Sequence, residues 1–334
     1  MRPRWSLLVL ALLCCSLQGR AQIRQVGELN TEQIRALDRA KTVVLLPGGM
    51  LEEHGPYLPA FTDGILSERL TSAIAKGVIA RKPDWTVLVF PPVSVGASGS
   101  NEIGGKYQFP GTYTVRPSTL RAIYMDLATE LGEQGFRWIM VVHVHGSPLH
   151  IGALDDAGDF FHDTYGGQMV NLWGLLPVLG GWGSAMSVMT AEQKRDDGLS
   201  LHGGADEHSM MLYLAPGLVS PTYRSAPSLS GASYQESFAV ARQPDWPGYI
   251  GAPKHASAAL GKHIWDGFSA AALKTTVEIL NGADPATIPR YLSYLVRNPL
   301  YHQWIQSSQA RDSHLASASR PGVRDARGPA DHRS

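Results

Sequence analysis

The chain predicts an α/β fold, a mostly parallel central sheet flanked by helices, with a metal site at the carboxyl ends of the strands. Three observations predict it. Short apolar runs bounded by turn residues, Val43 to Leu46, Val87 to Phe90 and Trp138 to Val142, read as buried strands of a parallel sheet. Between the second and third runs, Leu120, Ile123, Tyr124, Leu127 and Leu131 recur at helical spacing until Gly132 and Gly135 stop the helix, which is the strand–helix–strand order of a parallel sheet with covering helices. The loop after the first run, Pro47 to Asp63, is rich in Gly and Pro and gathers Glu52, Glu53, His54 and Asp63, at the strand end where α/β proteins place their sites.

Taken in order, the chain opens on an address label. Arg2 and Arg4 precede an apolar segment from Leu7 to Cys15, and a small-residue exit follows near Ala21, so residues 1–21 read as a secretory signal peptide and the protein as exported, to a periplasm or the extracellular space. The apolar segment is too short for a transmembrane anchor. Leu13 stands where a lipoprotein signal carries a small residue, which argues against lipid attachment at the following cysteines. Cys14 and Cys15 are the only cysteines, so the mature chain has no disulfide, no thiolate nucleophile and no Cys-ligated zinc. Removing Arg2, Arg4 and Arg20 leaves 26 basic residues against 29 acidic ones, a balance without the basic patch of a nucleic-acid binder.

The third apolar run ends in His143-Val144-His145-Gly146-Ser147-Pro148. In an alternating strand His143 and His145 point the same way, so both could face the loop that holds Glu52 and His54. His143 reads either as packing or as a group beside the substrate. Leu201 to Met211 is a Gly-rich turn opening into a helix, with His202 before it and Asp206 and Glu207 in its first turn, where the dipole favours acids. Ile264, Phe268, Leu273, Val277 and Leu280 predict a long helix near the end of a domain spanning 22–306, and the Ser-, Ala-, Arg- and Asp-rich residues 307–334 predict a disordered tail.

These motifs carry a resemblance. The chain is similar to the creatininase (creatinine amidohydrolase) family in Glu52-Glu53-His54-Gly55-Pro56 with Asp63, in Phe109-Pro110-Gly111-Thr112, in His145-Gly146, in His202 to Ser209, and in Tyr249-Ile250-Gly251-Ala252-Pro253. The five stand in family order between residues 42 and 262. The resemblance implies hydrolysis of a non-peptide C–N bond of a small amide at a pair of divalent ions, Zn or Mn. Glu52 and His54 would bind different ions, Asp63 would bridge them, His145 would bind one and Glu207 complete the other, with His202 as general acid or base. It also implies a homo-oligomer.

Two ions about 3.5–4 Å apart need a bridging oxygen and further O and N donors, which three carboxylates and two imidazoles supply. A single zinc already brings the pKa of its water to about 7. The chain departs from the family at Ser147, where creatinine-hydrolysing members carry a metal-binding Glu, and at Gly198 to Leu201, where they carry a tryptophan over the substrate; both argue against creatinine itself. Glu53 replaces a usual Gln, and with His143 and Ser147 it is a candidate for contact with substrate or for support of the ligands. Two other readings stay open, a hydrolase of a lactone, formamide or short peptide and a binding protein that has lost catalysis. A serine hydrolase is disfavoured beside them, since no Gly-x-Ser-x-Gly elbow is present.

Overall fold

The computed structural model describes residues 22–297 together with 302, 304–306 and 308–310. The expected signal peptide and the chain beyond 310 lie outside the described residues. Strand β1 (Gln22–Gln25) leads through the short helix α1 (Thr31–Arg35) to β2 (Thr42–Pro47), and α2 (Thr62–Arg81) carries the chain to β3 (Thr86–Val89). Helix α3 (Pro117–Glu133) connects β3 to β4 (Trp138–Val142), and α4 (Pro148–Tyr165) connects β4 to β5 (Gln168–Asn171). Helices follow thereafter: α5 (Leu176–Ala185), α6 (Ala191–Asp197), α7 (Ala205–Leu214), α8 (Tyr234–Ala241), α9 (Ala258–Leu280) and α10 (Tyr291–Leu295). No helix among the described residues is long and apolar enough to cross a membrane.

The strands lie parallel in the order β1-β3-β2-β4-β5. Alternate residues of each strand face opposite layers. Val44, Leu46, Leu88, Ile139 and Val141 pack under α3 and α4, against Leu120, Tyr124, Leu131 and Phe161. Val43, Leu45, Val87, Met140 and Val142 pack under α2 and α9, against Leu66, Leu70, Ile74, Ile264 and Phe268. That double cover is why β2 reads as an unbroken apolar run: Val43 to Leu46 are all fully buried, each worth roughly 1.5–3 kcal/mol of transfer free energy.

The layering also positions the site. After β2 the chain turns toward β3, whereas after β4 it turns away toward β5, and β2 and β4 are neighbours. Their carboxyl ends therefore flank a switch point, and the loops leaving them splay apart around a crevice.

Two four-residue strands, β1 and β5, add to the three runs read from sequence. The expected disorder from 307 does not extend to residues 308–310, which are helical. Ser308 is buried and its hydroxyl donates to Glu102 Oε2 at 2.8 Å, so a polar residue finds a partner inside that composition does not reveal.

Candidate metal centre

The loop from Gly48 to Phe61 folds back over the end of β2. Gly49 has φ +123°, and a Cβ there would lie 2.6 Å from the backbone nitrogen of Gly64, so this turn admits only glycine. The close approach brings Glu52 and His54 against the first turn of α2, where Asp63 sits at the positive end of the helix dipole. Ser67 joins the two crossovers: its hydroxyl donates to Asp63 O at 2.7 Å and accepts from Val144 N at 2.9 Å. His145 is thereby held opposite Asp63.

The third group of residues arrives from α7. His202 pairs with Ile250 through two backbone hydrogen bonds, His202 N to Ile250 O at 3.2 Å and Ile250 N to His202 O at 2.6 Å, which explains the Tyr249 to Pro253 motif. Asp197 Oδ1 accepts from Ala205 N at 3.0 Å and Ala252 N at 2.6 Å, tying the start of α7 to the same segment.

Six predicted residues converge. His145 Nδ1 lies 3.0 Å from Glu52 Oε2 and 3.1 Å from Asp63 Oδ2, and His54 Nε2 lies 3.2 Å from Asp63 Oδ1 and 3.8 Å from Glu207 Oε2. Asp63 thus turns one oxygen to each imidazole. The side chains group into Glu52–Asp63–His145 and His54–Asp63–Glu207, and His202 forms a third group with Glu52 and His54, the ligand atoms of each lying within 4.8 Å of one another.

The outward hydrogen bonds fix the tautomers. His54 Nδ1 donates to Glu52 O at 3.0 Å and His145 Nε2 to Ser98 O at 3.1 Å, so His54 Nε2 and His145 Nδ1 keep their lone pairs turned inward. Glu52 Oε2, Asp63 Oδ2 and His54 Nε2 are buried without a hydrogen-bond partner. Acceptors facing acceptors at these distances call for positive charge between them. Without a cation, protons supply it. Burial would lower His54 and His145, but Glu207 and Asp63 beside the first, and Glu52 and Asp63 beside the second, hold both well above the ordinary histidine value. Burial would raise Asp63, and the two imidazoles outweigh it and hold that carboxyl well down. Three carboxylates and two inward nitrogens fit divalent Zn or Mn.

His202 Nε2 donates to Glu53 O, so its Nδ1 is the accepting nitrogen, 3.9 Å from Glu52 Oε1. Glu53 is bound by Ser100 Oγ at 2.8 Å and by Thr112 Oγ1, which gives the Phe109 to Thr112 motif its role, and burial first, then Glu52, push the Glu53 carboxyl up to about 7. Glu53 supports the His202 side from behind the cavity wall. Ser147 lines the cavity, its hydroxyl buried and unpartnered. His143 does not reach the cavity: it packs under Gly48, accepts from Gly49 N at 3.1 Å and meets Tyr124 and His150. Burial, with His145 second, pushes it down to about 3, leaving it a neutral packing group.

The cavity over these residues has a volume of about 220 Å³. Sequence reasoning missed most of its walls: Trp173, Trp182, Tyr234, Tyr291 and Trp304, with Asp206, whose carboxylate accepts from Trp182 Nε1 at 2.9 Å and Ser200 Oγ at 2.8 Å. The acid pair Asp206-Glu207 was the available signal for the last of these. Ser98 and Ser200, the two described non-glycine residues with positive φ, both brace this region.

Comparison with known proteins matches residues 27–276 to the family described as "Creatininase: Creatinine amidohydrolase". The mycofactocin precursor peptide peptidase of Mycolicibacterium smegmatis is 35% identical over 124 residues, 35% of this chain and 45% of that protein. The creatinine amidohydrolase of Pseudomonas putida is 28% identical over 210 residues, 58% of this chain and 73% of that one. The chain thus spans about half the length of the first of these relatives. A structure of creatininase with Mn superposes with TM-score 0.55 at 23% identity, and a mutant creatininase complexed with creatine with TM-score 0.56 at 23%; each likeness covers 77% of this chain and 98% of the other. Those likenesses show the fold.

Proposed function

The chain belongs to the creatininase family, and from that premise we propose that it is an exported, metal-dependent amidohydrolase that cleaves a C–N bond of a small open-chain or cyclic amide. The observation that carries the reading is Asp63, buried with one oxygen toward His54 and the other toward His145. A carboxylate so placed would serve as a shared ligand, with Glu52 and His145 available on one side and His54 and Glu207 on the other. Two divalent cations held there would supply a water of lowered pKa and a Lewis acid for the substrate carbonyl.

The chain's own residues do the remaining work. His202, fixed through Nε2 by the Glu53 carbonyl, presents Nδ1 to the cavity, where it takes a proton from the attacking water and returns it to the departing nitrogen, otherwise a poor leaving group. The aromatic walls exclude water and stack against a flat amide. A volume of about 220 Å³ suits a small substrate, since drug-sized ligands occupy roughly 300–1,000 Å³. No Lys or Arg is among the described residues lining the cavity, whereas Glu52, Asp63, Asp206 and Glu207 are, which argues against an anionic substrate.

The test is a screen of Zn- and Mn-loaded protein against cyclic amides, formamides, lactones and short peptides. Release of amine or ammonia from a small amide supports the reading; turnover of lactones or peptides alone replaces it with hydrolysis of another carbonyl compound. No turnover, with no more than one ion bound, replaces it with a binding protein. Export is tested by the N-terminus of the protein recovered outside the cytoplasm, expected after Ala21, and assembly into a homo-oligomer by light scattering.

A further inference from the structure

One wall of the cavity comes from beyond the family-matched region, which ends at residue 276. Trp304 lines the cavity and packs edge-on against Phe238 of α8, ring centroids 6.0 Å apart at 80°. Its indole N–H is buried without a hydrogen-bond partner. Four residues on, Ser308 is anchored twice: its hydroxyl donates to Glu102 Oε2 at 2.8 Å and lies 3.0 Å from Ser98 Oγ. Ser98 is the residue whose carbonyl orients His145, and it holds a left-handed φ of +63° to do so. Ser308 is therefore fastened to the loop that aligns a proposed metal ligand, and one helical turn earlier Trp304 sets an indole in the wall of the cavity that this ligand also lines.

Resting on the reading of this cavity as the substrate site, we propose that Trp304 is a specificity-determining residue, the wall that limits the substrate to a small amide and shuts out longer acyl or peptide chains, with Ser308 as its positioning residue. The observations combine: a cavity of about 220 Å³, a bulky ring from a segment outside the family match, and a buried anchor that fixes that ring. The steric consequence is a cavity narrowed on the side where the indole stands. Removing the indole should change selection between short and long ligands at least about tenfold, the lower end of what one added or missing methylene is worth in such pockets.

The experiment uses the full chain with Cys14 and Cys15 changed to Ser, so that Gly146→Cys, at a cavity-lining position where a Cβ meets only Trp173 Nε1 at 3.9 Å, places a single thiol on the cavity wall. The thiol is titrated with methyl methanethiosulfonate and with a naphthyl-sized methanethiosulfonate, and the ratio of the two rates is compared across backgrounds. With Trp304 intact the large reagent is expected to lag far behind the small one; adding Trp304→Ala should speed the large reagent at least about tenfold and the small one little. Trp304→Phe should restore exclusion, and Ser308→Ala should give an intermediate ratio, with melting temperatures certifying that each variant folds. An unchanged ratio in Trp304→Ala overturns the proposal, as does rapid labelling by the large reagent with Trp304 present or failure of the small reagent to reach position 146. The labelling requires neither bound metal nor turnover. A screen without hydrolysis therefore sinks the amidohydrolase and leaves the wall standing, whereas hydrolysis with an unchanged ratio rejects the wall alone.

Discussion

Asp63→Asn is the substitution that separates a shared site from two independent ones. In the wild type the Asp63 oxygens lie 3.2 Å from His54 Nε2 and 3.1 Å from His145 Nδ1, so a cation beside either imidazole is within about 4 Å of the carboxylate. At that separation unit charges interact by about 4 kcal/mol at an effective dielectric of 20. Retaining only half of that as the loss for each ion gives about 2 kcal/mol, roughly thirtyfold in affinity, and the asparagine amide adds an N–H where a lone pair is needed. Both ions should therefore weaken together. Elemental analysis after dialysis against a dilute chelator is the assay, with Glu207→Gln beside it as a variant expected to release one ion and keep the other. Retention of one ion at wild-type affinity in Asp63→Asn refutes the bridging role, and unchanged content of both refutes the site.

Further expectations concern proton transfer, pH and the core. His202→Gln should lower kcat by about 10²–10⁴-fold with metal content retained, because Nδ1 faces the cavity; loss of metal instead would make His202 a ligand. In chelator-treated protein, His54 and His145 are held above their ordinary value, so the stability they contribute is fully present below about pH 6.5 and is lost as pH rises through their folded values. The melting temperature of the metal-free protein should fall on the alkaline side, and loading with zinc should flatten that fall, since a ligand nitrogen carries no proton. Glu52, Asp63 and Glu207 are lowered in the folded chain, so their contribution is present above about pH 4 and fades as pH drops through their folded values. Leu46→Ala, at a fully buried position in β2, should destabilise by about 2–5 kcal/mol in urea titrations; a change under about 1 kcal/mol would contradict the packing described.

Much of the centre was legible because the fold writes it in one place. Strand β2 is buried on both faces and so appears as an apolar run, and Glu52, His54 and Asp63 follow within a loop and one helical turn. Strands β1 and β5 were not legible, since Gln22–Gln25 is an exposed edge and Gln168–Asn171 is short and polar at both ends. The alternation argument placed His143 and His145 on one side, and it failed for His143 because β4 ends at Val142: beyond it the backbone is free to turn His143 under Gly48. The aromatic walls left no local signature either. Trp173, Trp182, Tyr291 and Trp304 come from separate elements, and a tryptophan in a sequence looks the same whether it packs in a core or faces a ligand.

The Ser67 hydroxyl ties the first turn of α2 to the end of β4, parts of the chain that are remote in sequence. The donors come from three stretches, around 52–63, at 145 and around 202–207, and the unfolded polymer offers them no common meeting point. A cation bound there would distinguish the finished molecule from every incomplete one, and mass action at a hundred times the dissociation constant would add about 2.7 kcal/mol for one such site. Were cations held there as proposed, ion supply would act as a late latch on maturation, tightening only once all three stretches have come together, and its loss would show as a lower melting temperature.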